Sequence, residues 1–198
     1  MSKELQMRVG HGAQPEVGPA WAPVWVAENV AMLPFQYAAQ AGHVHWIFDL
    51  DRVLLPAPQL VGLRWRVCQD FCQAIHDAQV AGYIQNAAIV TNVAFPLPQL
   101  VLRTKSVGRQ LGIENIVRLY LYKGNMKPHP WGGMRAMEMM GSTPDTTIFC
   151  GDMISKDGLC AKSCGIPFVH VQPYGPNPLW KQAIEQLPRL LPARRRSA

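Results

Sequence analysis

The chain has 198 residues, 48% hydrophobic and 16% charged, a balance that fits one globular α/β domain with a sizeable core and argues against disorder except at the ends. Its formal net charge of +6 suits an anionic substrate or surface, although Arg189, Arg194, Arg195 and Arg196 hold much of the excess in what is ordinarily a solvated tail. Five cysteines, with no Cys-x-x-Cys spacing, argue against a disulfide framework and structural zinc; the i,i+4 pairs Cys68/Cys72 and Cys160/Cys164 fit reduced thiols on helix faces in a cytosolic compartment.

In chain order, residues 1–23 read as a flexible N-terminal segment, rich in Gly and Pro up to Pro19. Ala20 to Ala39 is apolar and carries Trp21, Trp25, Phe35 and Tyr37. Pro23, Glu28, Asn29 and Pro34 interrupt it, so it should not span a bilayer, and without a basic lead it does not read as a secretory signal. A short helix is expected over Ala27 to Leu33, ended by Pro34, then a second helical segment before Gly42 and a strand from His43 to Leu50. Leu54-Leu55-Pro56-Ala57-Pro58 reads as a loop or flap over that strand's end. Val67, Cys68, Phe71, Cys72 and Ile75 form a helix stripe within Leu63 to Gln79, stopped by Gly82, and Ala87 to Thr91 is the next strand.

Pro98 opens a helix through Leu111 with Gly112 at its end, and Ile116 to Tyr122 is a strand. A helix through Met137 closes at Gly141, a strand covers Thr146 to Cys150, a helix runs to Cys164 with Gly165 as cap, and Pro167 to Val171 is the last strand. These elements define a domain over 24–176. Asn177 as N-cap and Pro178 at the first helical position start a final helix through Gln186, so 177–198 reads as a C-terminal helix and basic tail.

Such alternation implies βαβ units and a parallel sheet, with ligands outside the carboxyl ends of its strands. The polar residues that interrupt apolar runs fall at those ends: Asp49 and Asp51 after Val44 to Phe48, Thr91 and Asn92 after Ile89-Val90, and Asp152 after Ile148 to Gly151. Clustered carboxylates are a poor way to build a core and a good way to hold a divalent cation beside a phosphoryl group; Lys127 adds a cation of its own.

Asp49-Leu50-Asp51-Arg52-Val53, Thr91, Lys127 and Gly151-Asp152 with Asp157 five residues further on resemble, in order, the four motifs of the haloacid dehalogenase-like (HAD) phosphohydrolases. The resemblance implies an α/β, three-layer Rossmann-like fold with a central parallel sheet. About forty residues between Asp51 and Thr91 leave no room for a large cap domain. It implies Asp49 as nucleophile and Asp51 as general acid and base, with Thr91, Asn92 and Lys127 on the phosphoryl group. Magnesium would be held by Asp49, the main-chain carbonyl of Asp51 and Asp152, while Asp157 ligates through water or orients Lys127. An acid two residues after the nucleophile resembles the phosphatases and phosphomutases of the family. Arg52 stands where Gly or Asn is often found, which bears on the local turn.

More narrowly, the aromatic lead-in, the capless layout and the ending Gly165 to Pro173 resemble subclass IIIA and its phosphatidylglycerophosphate phosphatase-like branch, whose first motif usually has Asn-Thr where this chain has Arg52-Val53. A bulky or lipid phosphate follows as an expectation. A HAD-fold binding or scaffold protein with little or no turnover and a nucleic-acid or nucleotide phosphatase are the alternatives. The partner expected is a phosphorylated substrate. No stable nucleic-acid partner is expected, since no stripe interleaves basic and aromatic residues. A homo-oligomer is compatible with a capless site. The aromatic lead-in is open to peripheral membrane contact but favours packing at the sheet edge, and the location expected is cytoplasmic, with a membrane surface as the variant. His129 could touch substrate, with helix capping as its ordinary role; Met134, Met137, Met139 and Met140 read chiefly as core, and Trp131 and Trp180 as packing or rim residues.

Overall fold

An apolar run without polar alternation, such as Val44 to Phe48, must be covered on both faces, and that requires helices on either side of the strand. The computed structural model describes residues 23–56, 65–93, 98–113 and 115–175 and has this arrangement. Its elements are β1 (Trp25–Ala27), a 3-10 turn (Val30–Met32), α1 (Phe35–Gln40), β2 (His45–Phe48), α2 (Gln69–Val80), β3 (Asn86–Asn92), α3 (Pro98–Gln110), β4 (Val117–Leu121), a 3-10 turn (Lys123–Asn125), α4 (Trp131–Met140), a 3-10 turn (Pro144–Thr146), β5 (Thr147–Gly151), a π-helical turn (Ile154–Gly158), α5 (Leu159–Ser163) and β6 (Phe168–Val171). The six strands form one sheet in the order β1-β6-β5-β2-β3-β4, every pair parallel.

Residues alternate between two cores across this sheet. Trp46, Phe48, Ile89, Ile148 and Val169 face α1, α2 and α3 through Phe35, Phe71, Ile75, Val107 and Leu111. Ile47, Val90, Phe149 and Phe168 face α4 and α5 through Ala136, Met137, Cys160 and Ala161. The architecture is thus the three-layer, Rossmann-like α/β sandwich expected, and among the described residues no cap domain is inserted between its elements.

Several expectations need correction. Trp25–Ala27 is an edge strand on β6, not the start of a helix, because Trp25 and Ala27 turn inward while Val26 faces solvent; only one 3-10 turn follows. The lead-in packs through Val30, Leu33, Phe35 and Ala38, and leaves Tyr37 and Met32 exposed. No helix among the described residues is long and apolar enough to cross a membrane. Val53, Leu54 and Leu55 are buried in the first core, so the flap expected from Leu54 onward has no free start; its Ala57-Pro58 portion lies outside the described residues. Helix α2 begins at Gln69, which leaves Cys68 just before it rather than on its stripe. The helix expected after β5 opens as a π-helical turn. Met137 and Met140 are core, whereas Met134 and Met139 are exposed, as is Trp131. The N-terminal segment with Trp21, the C-terminal helix, Trp180 and the arginine tail lie outside the described residues.

Candidate active site

The chain leaves β2 toward β3 and β4 on one side, then returns to β5 and β6 on the other, so the strand order reverses beside β2. That is where open α/β sheets bind ligands. Phe48 pairs with both Ile89 and Cys150, which sets Asp49 beside Gly151 and brings Leu50 and Asp152, just past the ends of β2 and β5, level with Thr91 near the end of β3. Asp49 stays in register by donating its N–H to Cys150 O at 2.9 Å.

Lys127 enters this corner from the loop before α4. Its ammonium reaches Asp49 Oδ1 at 2.7 Å, Asp157 Oδ1 at 2.6 Å and the carbonyl of Val90 at 3.0 Å, so its three protons are matched by three acceptors in a buried place. Asn92 holds the Lys127 backbone: its Oδ1 accepts the Lys127 N–H at 2.8 Å and its Nδ2 donates to the Lys127 carbonyl at 3.2 Å. Asp157 is fixed by the π-helical turn, where its Oδ2 accepts the Met153 N–H at 3.0 Å. On β6, His170 Nε2 lies 3.1 Å from the main-chain carbonyl of Asp152. His129 takes the capping role, its Nδ1 accepting the Trp131 N–H at 3.1 Å at the start of α4.

One carboxylate oxygen each from Asp49, Asp152 and Asp157 lie within 4.8 Å of one another, all three residues buried. Three hard oxygen donors at that spacing fit a cation such as Mg²⁺, and the charge balance agrees: three carboxylates meet one ammonium and, at 3.5 Å from Asp152 Oδ2, the Nε of Arg52. Burial pushes Asp49 up to about 7, against the pull of Lys127 and with the push of Asp157 and Asp51. Burial alone would lower Lys127, yet the charges of Asp157 and Asp49 outweigh it and raise the ammonium above its ordinary value. Burial, then Asp157, Asp49 and Asp152, push the Cys150 thiol up, which keeps this β5 residue a neutral packing group.

Asp51 stands apart from this knot. It is half-buried and pairs with Arg103 of α3, a residue the motif reading missed. A signal existed: Arg103 continues the inward stripe Val107, Leu111 at i,i+4 spacing, and a charged residue on such a stripe calls for a buried partner. Arg52 is also buried and takes a left-handed φ of 67°, the conformation that favours Gly or Asn. Its N–H donates to Leu55 O at 2.7 Å and its carbonyl accepts the Tyr174 N–H at 2.6 Å, so backbone bonds hold the turn with arginine in place.

No family model and no curated protein matches the chain. Among solved structures it is similar to an uncharacterized protein from Listeria monocytogenes serotype 4b, at 16% identity over 74% of this chain and 99% of that one with a TM-score of 0.50, a likeness of fold. Also similar are the cobalt-bound deoxy-D-mannose-octulosonate 8-phosphate phosphatase from Haemophilus influenzae (18% identity, 75% and 89% covered, TM-score 0.45) and a HAD-superfamily hydrolase of subfamily IA from Geobacter sulfurreducens (16%, 74% and 97%, 0.41).

Proposed function

We propose that the protein is a magnesium-dependent phosphomonoester hydrolase of the HAD type that works through an aspartyl-phosphate. The observation that carries this reading is Lys127 bridging Asp49 and Asp157 at 2.7 and 2.6 Å beside the Asp152 carboxylate, where the strand order reverses. Phosphate monoesters resist attack because their charge repels nucleophiles, so a site must neutralise that charge and fix the nucleophile. In this reading Asp49 attacks phosphorus while Asp51 protonates the leaving oxygen. Water then attacks the acyl phosphate, Asp51 takes its proton, and phosphate leaves.

Asp49, Asp152 and the Asp51 carbonyl would hold Mg²⁺, which when bound withdraws charge from the phosphoryl oxygens. The direct Asp157 to Lys127 contact supports Asp157 as the group that orients the lysine. Thr91 would donate to a phosphoryl oxygen and Lys127 would neutralise it. Asn92, with both carboxamide atoms on Lys127, acts as a positioning residue rather than the substrate-binding residue expected of it.

One observation favours a second reading, a related binding protein without turnover: Arg103 occupies the carboxylate assigned as acid and base. Purified protein with a generic aryl phosphate separates the two. Magnesium-dependent phosphate release that falls about a thousandfold or more in Asp49→Asn supports catalysis; no release from the wild type across phosphorylated lipids, metabolites and oligonucleotides sinks it. The same screen tests the lipid phosphate proposed by analogy with the subclass IIIA branch.

A further inference from the structure

A second basic site lies away from the carboxyl ends of the strands. Helix α3 and the start of β4 border an open cavity of about 470 Å³ lined by Lys105, Gly108, Arg109, Gly112, Ile113 and Arg118. Lys105 and Arg109, at i,i+4 spacing, share one face of α3, and the turn at Gly112 closes its end. Arg118, the second residue of β4, crosses that face: its Nη1 lies 3.9 Å from where a β-carbon on Gly108 would stand. That same β-carbon would lie 2.7 Å from Ile116 Cγ2, so the missing side chain lets α3 approach the chain entering β4, which carries Arg118.

The arrangement is unfavourable as it stands. Like charges at i,i+4 repel, and Arg118 adds a third cation to the same lining. A basic residue in a last helical turn usually answers the helix dipole, which accounts for Arg109 but not for Lys105 or Arg118. Among the described residues none of the three pairs with a carboxylate. An anion on this face would remove the repulsion.

We propose that this cavity binds a small molecule carrying two or more phosphoryl groups. Its volume lies in the range of small-ligand sites, and two guanidinium groups offer paired donors to phosphate oxygens. Among the described residues no aromatic side chain lines it, so they offer no stacking platform of the kind that a single-stranded nucleic acid uses.

The test titrates inorganic tripolyphosphate calorimetrically, without divalent cation, into Asp49→Asn protein. Binding is expected to weaken at least tenfold in Arg109→Gln/Arg118→Gln and several-fold in Lys105→Gln. Asp152→Asn, which alters the other anion-handling site, is expected to leave it unchanged. The exposed Lys105 gives a readout even if the double variant folds poorly. Absence of binding, or binding that follows Asp152 instead of the three cations, overturns the proposal. So does an oligonucleotide that binds through these residues where tripolyphosphate does not.

Discussion

A β-carbon on Gly151 would stand 2.4 Å from Cβ of Asp157 and 2.5 Å from its Cγ, distances no packed pair of carbons tolerates. The glycine at the end of β5 is therefore what lets Asp157 lie against the strand and reach Lys127 at 2.6 Å. Gly151→Ala must push Asp157 off the ammonium and leave a buried carboxylate poorly paired. We expect a loss of about 1–3 kcal/mol in unfolding free energy, measured by denaturant titration, together with a larger proportional fall in phosphate release than in substrate binding. An alanine variant as stable and active as the wild type would show that the contact is unimportant. Arg52 is the contrasting residue: the left-handed turn disfavours it, yet its buried guanidinium approaches Asp152, so side-chain charge stands against backbone preference.

Asn92 ties the end of β3 to the loop before α4 across 35 residues of sequence, with one hydrogen bond to each polar atom of the Lys127 backbone. Asn92→Ala leaves those groups without that clamp. About 1–3 kcal/mol of stability should go with it, and kcat should fall roughly tenfold to a hundredfold with a smaller change in KM, because the lysine is displaced rather than removed. A further loss of similar size when Asn92→Ala is added to Lys127→Ala would instead mean that Asn92 acts on substrate directly. At this scale the sequence was legible where a period or a stop residue is strong. The buried run of β2, the Gly112 and Gly141 stops and the βα alternation all stand where the pattern put them. It was not legible where tertiary contact decides. A three-residue strand such as β1 has too few positions to show a period, and the π-helical turn exists because Asp157 must cap Met153 and meet Lys127 at once. The four acidic residues were visible as motifs and Arg103 as a charged residue on an inward stripe, but that Arg52 meets Asp152 and Arg103 meets Asp51 was not, since neither spacing nor residue type reveals which segments the fold brings together.

Over the whole molecule, parallel strands deliver Asp49, Asp152 and Asp157 to one buried corner, so the fold concentrates charge that the unfolded chain disperses. Burial raises Asp49 from 3.8 to about 7. Between those values the native protein keeps a proton that the unfolded chain has released, so this group's contribution to stability is full below 3.8 and is lost as pH rises through about 7. His43 and His45 act in the opposite sense. Burial lowers both from 6.5, so the unfolded chain takes up protons there that the native protein refuses, and rising pH restores stability. Asp49→Asn keeps both histidines and removes only the titrating carboxyl, which makes the difference in Tm between wild type and variant the useful quantity. Without divalent cation, that difference should shift against the wild type from about pH 4.5 to 7. Magnesium favours the ionised carboxylates, so at pH 7 it should raise the Tm of the wild type well above any rise in the variant, by mass action on the native state alone. A difference that stays flat with pH would mean that Asp49 is ionised throughout and that Lys127 outweighs burial. Equal magnesium shifts in both proteins would place the cation somewhere other than this corner.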